Sequence, residues 1–103
     1  MNVVESLAGE IDMQPGSTVS KVVVKEGPLR LVLFAFDAGE ELTEHTASLP
    51  VVIQVIEGSV AVEAGGDRVH LSPGGWLFLE AHEPHTVVAE EPSKMLLTMV
   101  RSA

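Results

Sequence analysis

The sequence contains no cysteine and few basic residues. The absence of cysteine excludes a disulfide scaffold and a thiolate zinc site, and it fits a reducing cytoplasm, where we expect the protein to reside. Six lysine and arginine residues stand against fifteen aspartate and glutamate residues, for a formal net charge of −9. Because such a chain lacks a basic stripe that could neutralise phosphates, we expect neither nucleic acid nor an anionic membrane as a partner.

Long apolar runs are also missing, so no membrane span is predicted. The residues after Met1 show neither the basic stretch nor the apolar core of a signal peptide. With 103 residues, 46% of them hydrophobic and 20% charged, the chain predicts one globular domain over 1–103. We expect an N-terminal segment at 1–16, with a helical turn conceivable only at 3–8, and a β-barrel at 17–101.

What the sequence does contain is a series of short apolar and β-branched runs separated by glycine and proline. Gly65-Gly66 predicts a tight hairpin turn, because glycine readily adopts the positive φ that such turns require. The runs indicate an all-β fold, an antiparallel barrel of two packed sheets. The predicted strands are 18–25, 29–37, 42–46, 51–57, 60–64, 68–72, 76–80, 85–89 and 94–101.

Two of these strands, within 30–36 and 51–56, are apolar on both faces. No crossover helices are available to cover the second face of either strand. A second copy of the chain is the simplest cover, so the pattern predicts a homodimer with Val32, Val52 and Ile56 in its interface. The alternative is that the N-terminal segment covers part of this surface.

Two glycine-to-histidine spacings point to a known family. Residues 39–45 read G-x5-H and lead through an apolar strand to Gly58, while residues 74–85 read G-x5-E-x-H-x2-H. These spacings resemble the two conserved motifs of the cupin superfamily, and the chain is most similar to its small single-domain, cupin 2-like members over roughly 28–100. The resemblance implies a jelly-roll β-barrel, often dimeric, with any ligand or metal ion inside the barrel.

The resemblance also implies four metal-ligand positions, which fall on His45, Ala47, Val51 and His85. Only the two histidines can ligate a metal ion, whereas catalytic zinc or iron usually takes at least three protein ligands. We therefore expect a depleted site in which His45 and His85 face each other and hold a divalent ion (Zn, Ni, Mn or Fe) weakly.

A third ligand could come from His82 or Gln54. His82 stands where the family motif has glycine, so it could instead serve a left-handed backbone conformation, which histidine tolerates. Strand alternation places Gln54 opposite Val51 and outside the barrel unless a bulge intervenes. His70 is expected to be solvated.

The predicted interior could also bind a small molecule without a tightly held metal ion. Glu80 beside the two histidines could take part in acid–base chemistry. Three hypotheses remain open: a metal-binding cupin of unassigned activity, a metal-free module that binds or senses a small molecule, and a structural or interaction barrel. The predicted pocket walls are Phe34, Phe36, Val51, Ile53, Trp76, Phe78, Glu80, Met95 and Met99.

Overall fold

The computed structural model describes residues 1–45 and 47–101, with Glu44 and His45 described by their backbone alone. Thr46, the last residue of the predicted third strand, lies outside the described residues. A 3-10 turn at Ala8–Glu10 precedes the strands. The strands are β1 (Thr18–Glu26), β2 (Leu29–Phe36), β3 (Glu41–His45), β4 (Val51–Glu57), β5 (Val60–Ala64), β6 (Asp67–Leu71), β7 (Trp76–Leu79), β8 (His85–Ala89) and β9 (Ser93–Val100).

The strands form two antiparallel sheets. One sheet has five strands in the order β1-β2-β9-β4-β7, and the other has four in the order β3-β8-β5-β6. Gly65 and Gly66 join β5 to β6 with φ values of 59° and 83°, which confirms the predicted hairpin turn. The predicted all-β fold of two packed sheets is confirmed.

The helical turn lies slightly later than the predicted 3–8. The Gly9 amide donates a hydrogen bond of 3.1 Å to Ser6 Oγ, and the Glu10 amide donates one of 3.1 Å to the Leu7 carbonyl. These contacts close a turn at Ala8–Glu10 instead. No helix in the described residues is long and apolar enough to span a membrane.

The space between the sheets is filled by apolar side chains from both sheets. Phe36, Ile53 and Met95 are fully buried there. Residues at alternate positions on each strand point into this core, as the pleat requires. The buried members of the core are Phe36, Val51, Ile53, Val55, Val60, Val62, Leu79, Val87, Ala89, Met95 and Leu97.

A second, smaller core covers the outer face of the five-stranded sheet. Ile11 of the N-terminal segment packs with Leu33, Ala35 and Leu96, and Ile56 packs against this cluster. The alternative that the N-terminal segment covers part of the sheet is therefore correct for Ile56.

The prediction that Val32 faces outward is wrong. Val32 is the register partner of Leu97, which belongs to the core between the sheets, and it alternates with Leu31 and Leu33 of the outer face. Residues directly opposite each other on paired strands share a face, so Val32 lies on the inner side.

Candidate functional site

His85 begins β8 and is the only buried histidine among those whose side chains are described, with 3% of its surface exposed. Its Nδ1 lies 3.0 Å from the carbonyl oxygen of Glu83. Because a carbonyl oxygen only accepts hydrogen bonds, Nδ1 carries the proton and donates it. In the neutral ring, Nε2 therefore carries the lone pair that can bind a metal ion or accept a hydrogen bond.

A bulge in β3 brings residue 45 beside His85. Leu42 pairs with Val87 and His45 pairs with His85, so the β3 side has one residue more than the β8 side between these pairs. Antiparallel register partners have Cα atoms about 4.5–5.5 Å apart. The backbone therefore places the two motif histidines side by side, while the side chain of His45 lies outside the described residues.

The two remaining family ligand positions lie at the same end of the barrel, and their side chains have no atom that could bind a metal ion. Val51 is 2% exposed and belongs to the central core, and Ala47 packs against that core. The carbonyl oxygen of Ala47 accepts a hydrogen bond of 2.7 Å from the amide of His82. This bond links the two motifs directly.

The backbone at His82 has the conformation of the glycine that stands at this position in the family motif. Its φ is 65°, in the left-handed region that glycine favours, and its side chain is exposed. The expectation of a left-handed conformation at His82 is confirmed.

Gln54 lies on the outer face of β4. Its side chain is exposed, and its register partners are Leu96 of the outer cluster and Trp76. The irregularity in β4 falls between Val55 and Glu57, after Gln54, and therefore does not turn it inward. The prediction that Gln54 could act as a ligand inside the barrel is wrong.

Six of the predicted wall residues do contribute to the interior. Four are buried in the central core, and two pack partly buried against it. They are Phe36, Val51, Ile53 and Met95, followed by Phe34 and Met99.

The predicted interior placement of Trp76, Phe78 and Glu80 is wrong. Trp76 and Phe78 are 61% and 52% exposed, and Glu80 is exposed as well. The register of β7 with β4 pairs Leu77 with Ile53 and Leu79 with Val51, so the leucines face inward instead. Every residue of WLFL is apolar, and the sequence alone therefore could not identify the inward face.

A small cavity borders the interior at the open edge between β6 and β7. Its volume is about 160 Å³, and its lining includes Leu77, Leu79, Val62 and Ala64. Ala64 is the register partner of His85. The cavity thus borders β5, the strand that pairs with β8 at the buried imidazole.

Glu83 is the residue that the sequence analysis missed. Its carbonyl oxygen fixes the tautomer of His85, and its carboxylate accepts a hydrogen bond of 3.1 Å from the Glu80 amide. These contacts hold the 80–84 turn in place. The spacing of Glu83 to His85 gives no pattern that would have identified this role.

The donor set does not fit a conventional catalytic metal centre. No group of three or more His, Cys, Asp or Glu side chains suited to a metal ion is found where side chains are described. The family positions supply two imidazoles at most, and catalytic sites usually supply three protein ligands.

A second polar cluster lies on the outside of the four-stranded sheet. His70, expected to be solvated, is exposed, and its Nδ1 lies 2.8 Å from Glu90, whose other oxygen accepts a bond of 2.8 Å from Ser59. These hydrogen bonds, first that of His70 and then that of Ser59, hold the pKa of the Glu90 carboxyl below its ordinary value. They link the ends of three strands on the surface.

Comparison with known families supports the cupin resemblance. The family model described as "Cupin domain" matches residues 32–101. The chain belongs to the cupin family. No curated protein matches the sequence significantly.

Solved structures of similar proteins have the same fold. A cupin 2 conserved barrel domain protein from Leptotrichia buccalis is 33% identical, with a TM-score of 0.86 over 92% of this chain and 46% of that one. KdgF from Halomonas sp. is 28% identical, with a TM-score of 0.80 over 94% of both chains. A cupin superfamily protein from Desulfitobacterium hafniense has a TM-score of 0.87 at 21% identity, over 93% of this chain and 88% of that one, and shows the fold alone.

Proposed function

We propose that this cupin binds a small organic molecule at the end of its barrel where the two motifs meet, with His85 as the polar anchor. The observation that carries the proposal is the burial of His85, which is 3% exposed and held in one tautomer by Glu83. Ligand pockets typically combine apolar walls with a few fixed polar groups. Here Val51 and Met99 supply apolar surface on the facing sheet.

The proposal favours binding without a tightly held metal ion. Ala47 and Val51 replace ligands at two of the four family positions, so this end of the barrel has apolar side chains where the family pattern has metal-binding side chains. An imidazole can donate a hydrogen bond to an organic ligand or accept one from it. A specific activity does not follow from this geometry, and we propose binding or sensing as the function.

A thermal-shift screen of the purified protein against small organic acids, alcohols, phenols and sugars tests the proposal. A ligand at about 100 times its Kd stabilises the folded state by about 2.7 kcal/mol, which raises the Tm of a domain of this size by roughly 10–20 °C. The shift should disappear in His85→Phe, which keeps a ring but removes both nitrogens. It should persist in His70→Gln, a histidine substitution on the outer surface.

Two results would oppose the proposal. One is a screen without any stabilising compound. The other is a set of ligands that stabilise the folded His85→Phe variant as strongly as they stabilise the original protein. Circular dichroism establishes that each variant retains its strands.

A weak divalent-metal site is the second candidate function, and the register pairing of His45 with His85 favours it. We expect weak binding of zinc, nickel or manganese that fades as the pH falls through the range in which imidazole protonates, because an imidazolium cannot ligate. Isothermal titration should show this binding in the original protein and its loss in His45→Ala.

Restoring the missing ligands is the matched gain-of-binding test for this second candidate. The double variant Ala47→His and Val51→Glu should bind the same ions at least tenfold more tightly, because each added ligand supplies a further donor to the same ion. An unchanged affinity in the double variant would show that the two family motifs do not converge on one metal position. Binding that survives His45→Ala would place the ion elsewhere.

A further inference from the structure

Half of the basic residues in this acidic chain gather at one end of the barrel without acidic partners. The chain has six lysines and arginines. Three of them form ion pairs on the surface: Lys21 with Glu10, Arg68 with Glu63 and Lys94 with Glu57. The other three are Lys25, Arg30 and Arg101, and within the described part of the chain none of them forms an ion pair with a carboxylate.

The strand register places these three residues next to one another. Lys25 of β1 is the direct partner of Arg30 of β2, and Arg30 is the direct partner of Met99 of β9. Arg101 lies two residues beyond Met99 and continues the pairing, since its amide donates a hydrogen bond of 2.8 Å to the carbonyl of Pro28. Diagonal neighbours on paired strands lie about 7–8 Å apart, within the reach of long side chains.

This cluster belongs to the inner face of the five-stranded sheet. Arg30 shares its face with Met99, and Met99 shares its face with Val51, which is buried in the central core. Arg30 is itself half-buried. On the other side of β4, Val51 pairs with Leu79 of β7, which lines the cavity of about 160 Å³. Met99, Val51 and Leu79 thus form an apolar row across the sheet.

The cluster also lies at the end of the barrel that carries His85. β3 ends at His45, the register partner of His85, and β4 begins a few residues later at Val51, at the same end of the barrel. Packed sheets are about 10 Å apart, and an extended arginine side chain covers much of that distance. The arrangement therefore combines a cationic group at one edge, an apolar row and a buried imidazole from the opposite sheet.

Unpaired like charges directly opposite each other on neighbouring strands destabilise a sheet. In a chain with fifteen carboxylates, an acidic partner would relieve this repulsion, yet no described carboxylate forms an ion pair with any of the three. An anionic ligand would relieve it instead. Arginine suits this role because its planar group can bind both oxygens of a carboxylate.

We propose that Arg30, supported by Lys25 and Arg101, recognises the carboxylate of a small organic acid whose apolar part lies along Met99 and Val51 toward His85. This inference rests on the proposed function and specifies its ligand class. The net charge of −9 repels anions from the molecule as a whole, so the preference for a carboxylate comes from this cluster alone.

Matched pairs of ligands separate charge recognition from apolar binding. The probes are hexanoate with hexanamide and benzoate with benzamide, titrated into the ¹⁵N-labelled protein and followed by two-dimensional NMR. We expect each carboxylate to bind at least tenfold more tightly than its amide at low salt. Raising the salt concentration should reduce this ratio, because ions screen partly exposed charges.

Variants assign the preference to the cluster. Arg30→Gln should remove the carboxylate preference, and Lys25→Gln should reduce it several-fold without affecting the fold, because Lys25 is exposed. Arg68→Gln is the matched control, since it removes the same charge from the outer surface, and it should leave the preference unchanged. His85→Phe should weaken the binding of the acid and the binding of the amide by similar factors.

The outcomes distinguish this inference from the proposed function. Equal affinities for acid and amide, failure of every carboxylate to bind, or a preference that survives both Arg30→Gln and Lys25→Gln would overturn the inference. Unaltered binding of all probes in His85→Phe would instead overturn the role of His85 in the proposed function. If Arg30→Gln does not fold, the Lys25→Gln titration and the salt dependence decide the question.

Discussion

At the scale of single residues, Gly58 shows why a motif glycine is required. Its φ is 80°, and a Cβ at this position would overlap the carbonyl oxygen of Pro92 and Oγ of Ser93. Ser93 is 2% exposed and connects the two turns. Its Oγ accepts a hydrogen bond of 3.0 Å from the Ser59 amide, and its one hydroxyl proton lies within hydrogen-bonding reach of the carbonyls of Glu91 (2.7 Å) and Ser59 (3.0 Å). A side chain on Gly58 would therefore displace a buried hydrogen-bond network.

Substitution of this glycine can be compared with another motif glycine that has the same backbone conformation. Gly39 has a φ of 81°, but no atom lies within 4 Å of the position that a Cβ would take there. Gly39→Ala should lower the free energy of unfolding by about 1–2 kcal/mol, the cost of the left-handed conformation. Gly58→Ala should lower it by roughly 2–5 kcal/mol, because overpacking adds about 1–3 kcal/mol.

Urea denaturation followed by circular dichroism measures both values. Equal losses in the two variants would show that the close approach of Pro92 and Ser93 to Gly58 is not a constraint on the fold.

The two histidines of the second motif differ in backbone conformation and in burial. His82 retains the left-handed backbone of the glycine it replaces, while its side chain is exposed. His85 has the opposite character, with a buried ring oriented by the Glu83 carbonyl. Two histidines three residues apart thus have separate roles, one in the turn and one in the proposed site.

At the scale of elements, the N-terminal segment acts as part of the sheet's cover although it forms no strand. Ile11, 7% exposed, packs on Leu33 and Leu96 of the outer face. A second contact fixes the segment further along, where Asp37 at the end of β2 accepts a hydrogen bond of 2.7 Å from the Gly16 amide. This bond and that from the Ala38 amide hold the pKa of the Asp37 carboxyl below its ordinary value.

The edge strand β7 shows how pairing selects a face. All four of its residues are apolar, and its register with β4 turns the leucines inward and leaves Trp76 and Phe78 on the outside. The N-terminal segment covers the neighbouring strands of the same sheet but leaves these two aromatic rings exposed. Exposed aromatic pairs of this kind are typical of interaction surfaces.

At the scale of the whole molecule, the homodimer suggested by the sequence stays a prediction, with a different interface from the one first expected. Val32 lies inside, and Ile56 packs under the N-terminal segment, whereas Val52 is the register partner of Phe78 on the outer face. The revised interface is centred on Val52, Trp76 and Phe78. A second copy of this chain is the predicted partner.

An apolar groove lies at the edge of this sheet opposite the aromatic pair. At the β1–β2 edge, an apolar groove of about 400 Å³ is lined by Val4, Leu7, Val24 and Leu31, among others. A two-fold axis along the central strand β9 would place the aromatic rings of each copy over the groove of the other. Glu26 and Glu80 would then meet only at the solvated rim, where like charges cost little.

The size of the face is also adequate. Five strands about 4.8 Å apart make a face roughly 20 Å wide, and with the adjoining groove it approaches the roughly 800 Å² that each partner gives to a stable interface. The outward strand residues next to the aromatic rings, Val52, Gln54 and Thr98, are uncharged, so two copies with a net charge of −9 each can approach at these positions without direct repulsion.

The single tryptophan reports on this interface. At about 50 µM we expect a dimeric mass in light scattering and a Trp76 fluorescence that acrylamide quenches poorly, because the partner covers the ring. Phe78→Ser and Val4→Asp should both give folded monomers in which quenching increases, since they alter the two complementary edges. Val22→Ser is the control, as it removes an exposed apolar side chain (54% exposed) elsewhere.

A monomeric mass for the original protein at this concentration would refute the dimer. If only Phe78→Ser had an effect, the groove would not be part of the interface. A small-molecule ligand on the aromatic pair, such as a sugar, would leave the mass unchanged and protect Trp76 only when that ligand is added.

The sequence by itself determined the strands, the turns between them and the cupin motifs. Glycine and proline interrupt the apolar runs at positions where the backbone must turn, and this information is local. The loss of two ligand positions, at Ala47 and Val51, was also visible, because the resemblance to the cupin motifs implies which residues stand at those positions. For these features the chemistry of neighbouring residues is sufficient.

The tertiary structure decided which face of each strand is buried and which distant residues meet. Alternation divides WLFL into two apolar faces, and only pairing with β4 selects the inner one. The bulge in β3 sets residue 45 beside His85. The cationic cluster of Lys25, Arg30 and Arg101 comes from β1, β2 and the end of β9. Such proximity depends on long-range register, which is set by hydrogen bonds and packing between strands far apart in sequence.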